Sequence, residues 1–179
     1  MIKLYYSTSS KEDQPQSDPM YSLGGFKSST VVSSGEIGAI FPNISEFTLE
    51  QLKTTYICLI LKNEGTEDLQ DINLWMDPVG EMLCNYRVAI VTDSNGEFET
   101  VNNINSKPIY AEFISCVGQS NTIAFDLEQN KMLGLWIERS IDKDNIELKN
   151  RKSCDVLYEQ FKQDIKPSTE EEINLEIEW

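Results

Sequence analysis

The chain has 179 residues, with 30 acidic against 15 basic side chains and a formal net charge of −15. This length and a 40% hydrophobic share suit one globular domain with a core of its own. So acidic a chain is excluded from stand-alone nucleic-acid binding, which rests on Lys and Arg displacing counterions from phosphates. The charge fits solubility at high concentration, a basic partner, or a passage through which a polyanion slides without sticking.

Met1-Ile2-Lys3-Leu4-Tyr5-Tyr6 runs into a Ser, Thr, Lys and Glu stretch with no apolar h-region and no cleavage site, so synthesis in a reducing cytosol is expected. Residues 7–35 read as an N-terminal arm. Within it 11–17 is polar, Asp18-Pro19 starts a turn, and Leu23-Gly24-Gly25-Phe26 places two glycines where the backbone needs positive φ or close approach. With few apolar residues, the arm is expected to be ordered only when something else holds it.

From residue 55 onward the pattern is that of strands. Thr55 to Leu61 is apolar on both faces and ends at the turn Lys62-Asn63-Glu64-Gly65, which predicts a central strand covered on both sides. Asp71 to Met76 follows, with Ile72, Leu74 and Met76 on one face and a stop at Asp77-Pro78. Cys84 to Thr92 alternates through Tyr86, Val88 and Ile90 and closes at Asp93-Ser94-Asn95-Gly96. Further strands are predicted at Ile109–Val117, Thr122–Asp126, Met132–Glu138 and Glu172–Trp179, the last a clean period of two. One helix is expected, over Ser153–Ile165, where Leu157, Phe161 and Ile165 recur every four residues before Lys166-Pro167. With the charged stretch from Asp142 it makes a lobe, 142–169, inserted before the last strand. The fold class is all-β: an antiparallel sandwich, Ig-like or jelly-roll-like, forming a single domain over 1–179.

Candidates for chemistry are few. The chain has no histidine, which removes the commonest general base and metal ligand. The cysteines, Cys58, Cys84, Cys116 and Cys154, lack a C-x-x-C pair, and the first three sit in apolar strand sequence, where a reduced core thiol is expected. Neither a P-loop nor a G-x-G-x-x-G occurs. Glu97, Glu99, Glu112, Asp126 and Glu138 could supply a carboxylate pair, but their places on alternating strands and loops read as solvated positions. Asp93-Ser94-Asn95-Gly96-Glu97 approaches a calcium loop without its distal ligand. Trp75 and Trp136 read as core or interface residues. No catalytic residue, metal or cofactor is expected, and the longest apolar run, Tyr56–Leu61, is far short of the ~20 residues of a membrane span.

Several segments, in order, resemble a group of tailed-bacteriophage virion proteins. Ser17 to Ser28 is similar to that group's SLGG start, and Ile40-Phe41-Pro42-Asn43-Ile44-Ser45 to its NLFDDVS segment. Tyr56 to Asn63 resembles its YRCIYVKN strand and Ile72-Asn73-Leu74-Trp75 its NVKVW strand. Gly134 to Arg139 and Leu175 to Trp179 resemble its late LWIRR and closing L-x-I-x-W strands. Ile57 stands where the group has Arg, Pro42 interrupts its Asp pair, and the lobe is an insertion. The acidic balance and the lobe look most like chains of crAss-like phages.

The resemblance implies a virion protein, assembled in the host cytoplasm: a subunit of a neck or tail ring, the head-to-tail connector, repeated around the portal axis. Its implied partners are copies of itself and portal, neck or tail proteins, with no sequence-specific nucleic acid and no membrane. Leu23, Gly24, Gly25, Tyr56, Lys62, Asn63, Trp75, Trp136, Arg139 and Trp179 carry the motif. Asp18, Phe26, Leu157, Phe161 and Ile165 are the candidate interface residues, so contacts are expected in the arm and the lobe rather than on a sheet face. The competing expectations are a carbohydrate- or protein-binding sandwich of a phage fibre or cell surface, with exposed aromatics in a line, and an enzyme with two acids converging in a cleft.

Overall fold

The computed structural model describes residues 1–32, 40–41, 54–79, 84–141 and 172–178, with side chains omitted at 77–79, 141 and 172–178. Among the described residues, eight strands form two antiparallel sheets. They are β1 (Ile2–Thr8), β2 (Phe26–Val31), β3 (Thr55–Asn63), β4 (Leu69–Val79), β5 (Cys84–Val91), β6 (Ile123–Leu127), β7 (Met132–Ile141) and β8 (Glu172–Glu178). The larger sheet has the order β2-β1-β3-β7-β5 and the smaller the order β6-β4-β8. The expected all-β antiparallel sandwich is the fold.

β3 lies at the middle of the larger sheet, and Ile57 through Leu61 are wholly buried. Alternation sends its side chains to two cores. Ile57, Leu59 and Leu61 join Leu135 and Ile137 of β7 against Ile72, Leu74 and Met76 of β4, which fills the space between the sheets. Tyr56 and Cys58 face outward with Ala89 and Trp136, under a cover that includes Ala111 and Phe113. Ile60 meets Tyr5 and Phe98 on that same outer side. A continuous apolar run is what such two-sided burial demands.

Three expectations need correction. The arm is not loop throughout: residues 26–31 are strand β2, paired with β1, and Asp13 N–H and Ser29 N–H bond Lys27 O and Gln14 O along its free edge. Polar residues fold here because their burial is satisfied. Lys27 is 5% exposed, yet its ammonium meets Asp13, the Ser28 carbonyl and the Tyr5 ring. Second, Ile109–Val117 is no strand but a connector making single bridges, Ile114 to Val88 on β5 and Val117 to Met76 on β4. It thereby ties the edge of one sheet to a strand of the other. Third, β4 runs through Asp77-Pro78 to Val79. Met76 directs its N–H and C=O to residues 116 and 118, so by alternation Pro78 faces the same way, away from β8, and its missing N–H costs that ladder nothing. The expected helix over 153–165 and the lobe 142–169 lie outside the described residues.

Candidate functional site

The Ser22–Gly25 segment is built into the outer side of the larger sheet. β1 pairs with β3 as far as Tyr6 opposite Leu59, and there the pairing changes hands. Ser22 O accepts from Cys58 N–H at 2.7 Å, and Ser22 Oγ donates to Cys58 O at 2.7 Å while accepting from Ser7 N–H at 2.8 Å. Ser22 thus takes the place β1 vacates. Gly24 (φ +92) donates to Ser7 Oγ, and Gly25 (φ +88) exchanges both main-chain hydrogen bonds with Phe98. A Cβ on Gly24 would stand 1.8 Å from the Glu99 carbonyl oxygen, and one on Gly25 2.6 Å from the Thr8 carbonyl oxygen. Both glycines therefore meet the expected requirement twice over, in φ and in close approach.

The other motif residues also hold the sandwich together. Asn63 is wholly buried at the end of β3, donating to Glu67 O and Leu127 O and accepting from Gly65 N–H, which ties the turn and β6 to the larger sheet. Lys62, beside it, is half-buried. Trp136 is wholly buried on the outer side beside Cys58, and its Nε1 is without a hydrogen-bond partner among the described residues. Arg139 faces inward, its guanidinium 4.6 Å from the Phe41 ring centroid and its Nε donating to Thr55 Oγ1. Leu23 is half-buried and its carbonyl accepts from Val101 N–H. Trp75 is half-buried on the outer face of the smaller sheet, opposite Glu176 in register. Trp179, Leu157, Phe161 and Ile165 lie outside the described residues. Asp18 caps the 3-10 turn Pro19–Tyr21 by accepting from Met20 N–H, and Phe26 opens β2.

The five acids considered for a carboxylate pair are not brought together in one constellation. Glu138 is buried on β7 and paired with Arg87 of β5 at 2.6 Å. Beside it, burial and the Glu138 carboxylate hold the Tyr56 phenol above its usual range. Glu99 accepts from the main-chain N–H groups of Ile109 and Tyr110 at 2.5 and 2.9 Å. Asp126, on the other sheet, accepts from Asp71 N–H at the β4 bulge, where Asp71 has φ +55. Glu97 sits in the tight hairpin with Asn95 and Gly96 at positive φ, and Glu112 is exposed. Among the described residues no group of three or more Cys, Asp or Glu could hold a metal, and no helix is long and apolar enough to cross a membrane.

Two surface features were not anticipated from sequence. Pro108 and Ala111 are buried and the Glu99 carboxylate fixes the amides between them, so Ile109 and Tyr110 project outward, 83% and 79% exposed. The second feature is a charge asymmetry. Each strand of the larger sheet carries one Lys or Arg (Lys3, Lys27, Lys62, Arg87, Arg139), whereas β4, β6 and β8 carry none.

No family model, no curated protein and no solved structure matches the chain.

Proposed function

We propose that the chain is a non-enzymatic virion structural protein, a subunit repeated in a neck or tail ring at the head-to-tail connector of a tailed bacteriophage. The observation that carries this reading is the position of the Ser22–Gly25 segment. One of the segments that resemble the virion proteins is the segment whose hydroxyl and two glycines the fold requires at the junction of β1, β3 and the 98–101 segment. Motif residues that brace a scaffold, rather than line a cleft, suit a subunit whose work is contact with neighbours. The ion pair of exposed Arg87 with buried Glu138 and the capping carboxylates of Glu99 and Asp126 support the same reading, since each of these three acids has a structural task.

The test is the composition of purified particles of the phage that encodes it. The chain is expected in them at a fixed multiple of the portal copy number, in a ring on the portal axis. Its absence from particles would overturn the reading. A second reading, a carbohydrate- or protein-binding module, is favoured by the exposure of the Tyr21 and Tyr110 rings, 67% and 79%. Glycan binding by a monomeric chain, abolished by Tyr110→Ala, would establish that reading instead.

A further inference from the structure

We infer that copies of this chain bind one another head to tail: the Ile109–Tyr110 tip of one copy seats on the outer face of the β6-β4-β8 sheet of the next, around Trp75. The inference rests on the reading of the chain as a repeated subunit and specifies the contact.

The donor side is pre-shaped. An exposed Ile and Tyr in adjacent positions are costly to leave in water and well suited to anchor an interface. The Glu99 carboxylate holds both amides, and the Glu99 main chain is itself pressed against Gly24, so little ordering remains to be done on binding. Lys107 stands beside the tip, exposed, 5.9 Å from the Phe113 ring centroid. The acceptor side is a sheet face with Trp75 half-buried at its middle. Its strands contribute Asp71, Asp77, Asp126, Glu172, Glu176 and Glu178 and no Lys or Arg. Register places Glu176 opposite Trp75 and Glu178 opposite Asn73.

Charge decides which faces can meet. Two β6-β4-β8 faces repel each other, while the tip brings the apolar Ile109 and Tyr110 and the exposed cation of Lys107, with a single exposed acid, Glu112, beside them. The tip belongs to the layer over the larger sheet, and the acceptor face is the far side of the sandwich. A contact that uses opposite sides of one molecule is heterologous, and repetition by rotation closes it into a ring.

Sedimentation velocity of the full chain over a range of concentration and salt tests this directly. The expected result is association that grows with concentration and weakens with salt. The double variant Ile109→Asp, Tyr110→Asp should weaken it by roughly tenfold or more with unchanged thermal unfolding, because both side chains are exposed. Lys107→Glu and Glu176→Lys should each weaken association, and mixing the two variants should restore it. Chains carrying Tyr110→Cys and chains carrying Ala124→Cys should cross-link when mixed and not separately. A chain that stays monomeric, or whose association ignores the tip variants, or that cross-links through Tyr110→Cys alone, overturns the inference. Particles that contain such a chain leave the virion reading standing, and head-to-tail association of a chain absent from particles sinks the virion reading alone.

Discussion

Replacing Gly24 with alanine tests whether the Ser22–Gly25 segment is the joint that closes the outer layer. The added methyl would fall 1.8 Å from the Glu99 carbonyl oxygen and 3.1 Å from Thr100 Cα, both main-chain atoms that no rotamer change can move. The 98–101 segment must then shift, which breaks the paired bonds between Gly25 and Phe98 and the bond from Val101 N–H to Leu23 O. Backbone strain at φ +92 and three hydrogen bonds at their net worth together come to about 3–6 kcal/mol. Against a domain stability of roughly 5–15 kcal/mol, the variant should fold but poorly. Gly96→Ala is the control, since Gly96 also has positive φ (+82) yet a methyl there meets nothing within 4 Å. It should cost about 1 kcal/mol, the conformational part alone. Urea unfolding followed by tryptophan fluorescence measures both. With a denaturant slope of about 1–3 kcal/mol per molar, the Gly24 variant should unfold at least about 0.7 M earlier than the Gly96 variant. Equal midpoints would refute the argument that close approach, rather than φ, makes Gly24 obligatory.

Two further predictions concern titrating groups. Burial pushes the Cys58 thiol far up and the Cys116 thiol up to about 11, so at neutral pH the native chain should expose at most one thiol to a disulfide reagent. Unfolding without reductant should release four; a lower count, or one zinc per chain on metal analysis, contradicts the reading of the cysteines as free core thiols. The ammonium of Lys3 and the Tyr5 hydroxyl hold the Glu64 carboxyl below its usual range, while burial and Glu64 push the Tyr5 phenol up to about 12. The lowered carboxyl stabilises the fold above its unfolded value of about 4.3 and loses that contribution as pH falls through the folded value. The raised phenol stabilises below its unfolded value of about 10 and loses that contribution as pH climbs toward the folded value. Glu64→Gln should therefore flatten the acid limb of stability against pH and bring the late tyrosine ionisation down; an unchanged profile in both limbs rules the network out.

The parts of this fold that could be read from sequence are those where one physical demand dominates. β3 announces itself because burial on both faces leaves no room for polar side chains, and β4 and β5 because one face of each is buried. Gly24 and Gly25 could be read because adjacent glycines inside an otherwise ordinary segment have few uses other than φ and approach. β2 could not. Phe26-Lys27-Ser28-Ser29-Thr30-Val31 has no apolar period, and its buried Lys27 and Ser28 are held by Asp13 and by main-chain carbonyls that only the folded arm brings near. Residues 109–117 misled in the opposite sense. Their apolar content reads as strand, but Glu99 holds the first two amides away from any ladder, and Ile114 and Val117 each find one strand of a different sheet. The tip on Ile109 and Tyr110 was hidden for the same reason: what exposes them is a carboxylate ten residues upstream, and no local pattern reports it.

The register of β8 gives the sharpest test of the smaller sheet. Antiparallel pairing sets Ile177 opposite Leu74 and Glu178 opposite Asn73. Leu74 and Met76 are 0% and 1% exposed and face the core between the sheets, so the register predicts that a charge at position 177, opposite Leu74, is costly and that one at 178, opposite Asn73, is not. Ile177→Asp should then cost on the order of 3 kcal/mol or more, from lost burial plus an unpaired carboxylate. Glu178→Lys should stay within about 0.5 kcal/mol, as surface substitutions do. Removing residues 172–179 goes further, because β4 and β6 alone are a two-stranded ribbon, which is marginal in water. That truncation should lose the near-ultraviolet signal of Trp75 and expose the core face of β4 to dye binding. Thermal unfolding and near-ultraviolet dichroism of the three variants decide it. Equal costs at 177 and 178 would contradict the register described.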